Sequence, residues 1–128
     1  MLATSDDGHY ISYHTNCAVL ANNFLLTEQH ENKVRETRRL LSLLPEQLLA
    51  SATPATYIFA RFTNLFTKGP DGKPVVSSLD ELRRANSVLF SALLLSDPAA
   101  LGPRYKILKE LRFPGNDGFA YARLFEIR

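Results

Sequence analysis

The chain has 128 residues, 45% of them hydrophobic, which suits one globular domain with a proper core and excludes disorder by composition. Fifteen basic side chains against 13 acidic ones give a formal charge of +2, too balanced to argue for a nucleic-acid partner. A single cysteine excludes an internal disulfide, and no apolar run approaches the roughly 20 residues that a bilayer span needs.

Leu2 to Thr4 reads as a short strand, closed by the turn chemistry of Ser5-Asp6-Asp7-Gly8. No basic region or long apolar leader precedes it, and this abrupt start is expected of a sequence that begins inside a longer protein. Gly8 to His14 is compatible with a short helix. "CAVLA", Cys17 to Ala21, is continuously apolar, as strands covered on both faces are, and ends at Asn22-Asn23.

A helix is expected next. Thr27 suits its N-cap and Glu28 its first turn, and His30, Val34, Thr37, Leu41 and Leu44 form a stripe at helical spacing. Pro45 suits the first turn of a second helix, "PEQLLASA". "TYIFARF", Thr56 to Phe62, reads as a central strand, and "TKGPDGKP" as a loop. Ser78 and Glu81 make a capping box, predicting one helix from Leu79 to Leu95. "YKILKELRF" and "FAYARLFEI" flank "PGNDG", the pattern of an antiparallel hairpin.

Taken in chain order, with right-handed crossovers, these elements predict an α/β fold. Its expected form is three-layered: a mainly parallel sheet, helices on both faces and the C-terminal antiparallel hairpin at one edge. Residues 1–128 are expected to be one domain. Ligands of such sheets sit beyond the carboxyl ends of the strands. Those ends place Asp6, Asp7, Gly8, Asn22, Asn23 and Arg61 on one rim, with His9 beside them.

Carboxylate with imidazole suits zinc or manganese, but Asp6, Asp7, His9 and His14 match no established ligand spacing. The alternative is that Asp6 or Asp7 caps the following helix and the aromatic side chains pack on the sheet. Cys17 opens an apolar strand, where a thiol is buried and inert. The Leu79 to Leu95 helix is apolar nearly all round toward its end. It therefore calls either for a surface beyond this domain or for burial within it.

The stretch "SDDGHYISYHTNCAVLANNF" resembles the start of the extracytoplasmic C-terminal domain of membrane-embedded, lipid-linked-sugar glycosyltransferases, the oligosaccharyltransferase catalytic subunit among them. Asp6 and Gly8 match the aspartate and glycine of that family's Trp-Trp-Asp-Tyr-Gly motif, and "GHYISY" and "AVLANN" match the segments next to it. "YARLFEIR" is similar to the closing strand. Thr4 and Ser5 stand in place of the two tryptophans and Asp7 in place of the tyrosine. The resemblance therefore implies the broader bacterial group of sugar-transferring membrane proteins.

That resemblance implies a domain at the periplasmic face of the inner membrane, attached to the transmembrane portion of the same parent chain. A protein or glycan acceptor is the implied second partner. The parent's divalent metal would be held outside this domain, with no cofactor here, and this part alone would be inactive. Two further readings stay open. One is a free-standing ligand-binding or enzyme domain using Asp6, Asp7, His9 and Asn23. The other is an interaction module that dimerises through Leu79 to Leu95.

Overall fold

The computed structural model describes residues 1–4, 7, 11, 15, 18, 28–51, 56–112 and 119–128. In chain order its elements are α1 (Glu28–Leu41), α2 (Pro45–Ala50), β1 (Tyr57–Arg61), β2 (Phe66–Lys68), β3 (Pro74–Val76), α3 (Leu79–Ala85), α4 (Val88–Leu95), α5 (Pro98–Leu101), β4 (Tyr105–Arg112) and β5 (Ala120–Ile127).

The last strand is the middle of the main sheet, whose order is β1-β5-β4. β5 pairs antiparallel with β1, Tyr57 opposite Glu126 and Arg61 opposite Ala122, and antiparallel with β4, Tyr105 opposite Ile127. The expected three-layer, mainly parallel sheet is therefore overturned. Among the described residues one parallel pairing occurs, a single bridge at Leu2 and Ile58. There the Leu2 amide donates to the Tyr57 carbonyl at 2.8 Å and the Phe59 amide to the Leu2 carbonyl at 2.9 Å. The prediction failed because it paired strands in chain order, whereas β5 returns from the C-terminus to separate β1 from β4.

The burial of β1 shows why its sequence misleads. Ile58 and Ala60 are fully buried, while Tyr57, Phe59 and Arg61 on the other face are partly or largely exposed. Half-buried alternation of this kind belongs to antiparallel sheets. Aromatic residues on the outer face disguise it as a strand covered on both sides. "TKGPDGKP" is likewise more than a loop, being the turn of the β2–β3 hairpin. The Gly69 amide donates to the Lys73 carbonyl, and Gly72 takes φ +77°, a left-handed conformation that glycine adopts without strain.

The predicted helix from Leu79 to Leu95 is two helices. Ser78 caps α3 as expected, its hydroxyl accepting from the Glu81 amide while the Glu81 carboxylate accepts from the Ser78 amide. Asn86 then leaves helical geometry at φ −119° and ψ 165°, and Ser87 begins α4 as a new N-cap, accepting from the Phe90 amide. The Asn86 side chain holds the break. Its oxygen accepts from the Thr63 amide and hydroxyl, and its nitrogen donates to the Thr63 and Leu82 carbonyls.

This break lets α4 turn into the core. α4 packs on β1 and β5, and α1, α2 and α3 pack in turn on α4. Leu89, Phe90, Leu93 and Leu94 are at most 2% exposed, in one cluster with Leu40, Leu48, Ile58, Phe62, Leu82 and Phe125. Each such side chain contributes about 1.5–3 kcal/mol on burial. Most of this helix's apolar surface is thus buried within the domain, while Val88 at its start remains 51% exposed.

α1 buries Val34, Thr37 and Leu40, a stripe one step off the predicted one at Leu41 and Leu44. Outside, Arg35 pairs with Glu31 at 2.7 Å and Arg39 with Glu36 at 2.5 Å. α2 opens at Pro45, and the Gln47 side chain accepts from the Leu44 amide.

Candidate functional site

The N-terminal segment that carries the resemblance meets the end of β1. After the bridge at Leu2, the Thr4 hydroxyl accepts from the Asp7 amide at 3.1 Å, the geometry with which an N-cap satisfies its third following residue. The Asp7 carboxylate, 8% exposed, then receives the Arg61 guanidinium. Nη2 lies 2.6 Å from Oδ1, and Nε 3.2 and 3.3 Å from Oδ1 and Oδ2. The rim thus brings Asp7 and Arg61 together, but as an ion pair that ties the first segment to β1. A carboxylate gripped by an arginine fork is a joint, not a poised base. Asp6, Gly8, His9, Asn22 and Asn23 lie outside the described residues, as do His14, Cys17 and the side chain of His30.

A second constellation centres on Arg123, which sequence reasoning missed. Its side chain is 2% exposed on the core-facing side of β5, level with Ala60 and two residues from Phe125. Burial of an arginine there requires partners. Nε donates to the Glu110 carboxylate at 2.6 Å, and Nη1 to the carbonyls of Leu93 at 2.7 Å and Ser96 at 3.0 Å. Those carbonyls end α4, where the helix leaves acceptors unpaired and its dipole favours a cation. Glu110 also accepts from Arg112. That bond, joined by the one from Arg123, outweighs burial and holds the Glu110 carboxyl below its ordinary value.

Beside this network lies a cleft of about 600 Å³ between α3, the end of α4 and the start of β5. Arg83, Arg112 and Arg123 line it together with Leu79, Leu95 and Phe119. The only sequence signal for it was a charged residue on the apolar phase of "YARLFEI". Its acceptors lie 13, 27 and 30 residues away.

Two other buried polar groups belong to the frame. The Tyr105 hydroxyl donates to the Pro45 carbonyl at 2.5 Å, and its ring meets Phe125 edge-on at 5.9 Å. Burial, reinforced by the charge of Glu46, pushes the phenol up to about 12. Among the described residues, Ser91 Oγ in α4 is the one enclosed side-chain polar atom without a partner.

Among the described residues no three histidine, cysteine or acidic side chains are grouped to hold a metal, and no helix is long and apolar enough to cross a membrane. Fold and site together define a helix-backed antiparallel sheet with an arginine-lined cleft. No family model matches the chain, nor does any curated protein or solved structure.

Proposed function

We propose that this chain is a non-catalytic scaffold domain of a lipid-linked-sugar glycosyltransferase-like membrane protein, held at the periplasmic face of the inner membrane and helping to position an acceptor. The observation that supports this reading best is the Asp7–Arg61 pair. The segment carrying the resemblance commits the Asp7 carboxylate to tying the N-terminal segment to β1. Such a joint suits a domain whose N-terminus must transmit a fixed orientation from a neighbouring part of the same parent. On this reading Asp6, Asp7, Gly8, His9, Asn22 and Asn23 are the candidates for contact with the acceptor. The divalent metal and the acidic residues that hold it belong to the membrane portion, so this domain alone transfers no sugar.

The native gene tests the proposal directly. The coding sequence upstream of Met1 should encode a series of apolar segments of about 20 residues, each long enough to span a bilayer. A native start codon at Met1 overturns the reading. So does sugar transfer catalysed by these 128 residues alone.

A further inference from the structure

We propose that the outer face of the main sheet is a docking surface for an acidic amphipathic helix of a partner protein. This inference rests on that face alone and on no part of the glycosyltransferase reading.

α4 packs on the side of the sheet that carries Ile58, Ala60 and Phe125. Residues directly opposite one another in an antiparallel pair share a face. On the other side the register therefore sets Phe59, Leu124 and Lys109 in one row across the three strands, with Ala122 and Leu111 in the next. Ala122, 2% exposed, floors a groove of about 130 Å³ walled by Phe59, Leu111 and Leu124, with Lys109 at its rim. That volume is below the roughly 300–1,000 Å³ of small-molecule sites and suits one apolar side chain as an anchor. Tyr57, 41% exposed, and Leu111, 42% exposed, extend the apolar surface to either side.

The register of β4 shifts between Ile107 and Lys109 and again between Leu111 and Arg112. Bulges and lysines on an edge strand oppose the addition of a further strand, so a partner meets the face and not the edge. Two interstrand spacings make about 10 Å, the width of one helix, and a helix satisfies its own backbone groups on such a surface.

The charge of the partner follows from Lys106 and Lys109. Both are exposed, and among the described residues no carboxylate lies within ion-pair distance of either. The other charges of this face are matched already, Glu126 by Arg128 at 3.5 Å and Arg61 by Asp7. Carboxylates beside the anchor of the incoming helix would meet the two lysines. An isologous dimer would set this basic face against its own copy, which disfavours a second chain as the occupant. A bilayer presents no single side chain to the groove.

Fluorescence anisotropy on the whole chain tests this with two labelled helical peptides. One carries a single leucine stripe flanked by glutamates, and its twin has lysines in place of the glutamates. The acidic peptide should bind at least tenfold more tightly. Lys106→Gln with Lys109→Gln should keep the thermal midpoint and weaken the acidic peptide at least fivefold, as should Leu111→Ser. Lys33→Gln, an equal charge change on α1, should leave it unchanged. Amide shifts on binding should centre on Phe59, Leu111 and Leu124. Equal binding of the twins, unchanged affinity in the double lysine variant, or no binding at millimolar concentration overturns the proposal. A chain that elutes as a dimer and becomes monomeric in Leu111→Glu also overturns it, by assigning the face to a second copy. So does sedimentation with phosphatidylglycerol vesicles that the double lysine variant loses and the acidic peptide does not compete, which assigns the face to a membrane surface.

Discussion

Replacing Arg123 with methionine keeps most of the side-chain volume and removes the guanidinium that joins β5, β4 and α4. Three bonds go with it: one to Glu110 and one each to the Leu93 and Ser96 carbonyls. Removing one member of a buried ion pair costs about 3–5 kcal/mol when the other is left alone. Glu110 is not left alone, because Arg112 still donates to it and its side chain is 25% exposed. Ser96 borders a cleft that water can enter, whereas Leu93 is fully buried and its carbonyl loses a partner that water does not replace. The expected loss is therefore about 2–3 kcal/mol, a large fraction of the roughly 5–15 kcal/mol that holds a domain. Urea unfolding at pH 7 reads it as a midpoint lowered by about 1–2 M with the slope unchanged. A cycle with Glu110→Gln should give a coupling energy of about 1 kcal/mol, since the two residues share a bond. A loss under about 0.5 kcal/mol, or zero coupling, would refute the idea that Arg123 anchors the sheet to α4.

Further outcomes rest on four particular groups. Ser91→Ala removes an enclosed hydroxyl without a partner and should raise stability by about 1 kcal/mol, seen as a thermal midpoint a few degrees higher. Tyr105→Phe strands the Pro45 carbonyl and should cost about 1–2 kcal/mol in urea unfolding. The raised phenol makes the wild type lose stability as pH climbs from 10 toward about 12, and the Phe variant should be flat across that window. Glu110 runs the opposite way. Its lowered carboxyl contributes stability that is complete above its ordinary 4.5 and is lost as pH falls through the depressed folded value, so Glu110→Gln should flatten the acid limb of thermal unfolding against pH. Asp7→Asn should cost about 1–2 kcal/mol by chemical denaturation, because the nearly buried acceptor of Arg61 loses its charge.

What the amino-acid order determined by itself were features closed within a few residues. Ser78 and Glu81 cap each other, Pro45 opens α2, and the stretches around "PGNDG" pair as antiparallel β4 and β5. The Asn86-Ser87 break was written in the same local language, but seven apolar residues of helical character drowned it. Only the tertiary structure decided the rest. β5 between β1 and β4, Asp7 on Arg61 across 54 residues, and Arg123 on the end of α4 across 27 and 30 are choices among distant partners. A strand's sequence states which face is apolar but not which edge it will fill. A buried arginine states that acceptors must exist but not which chain segments bring them. Those are settled when the core closes, because the penalty for an unpaired buried group is felt only once water has left.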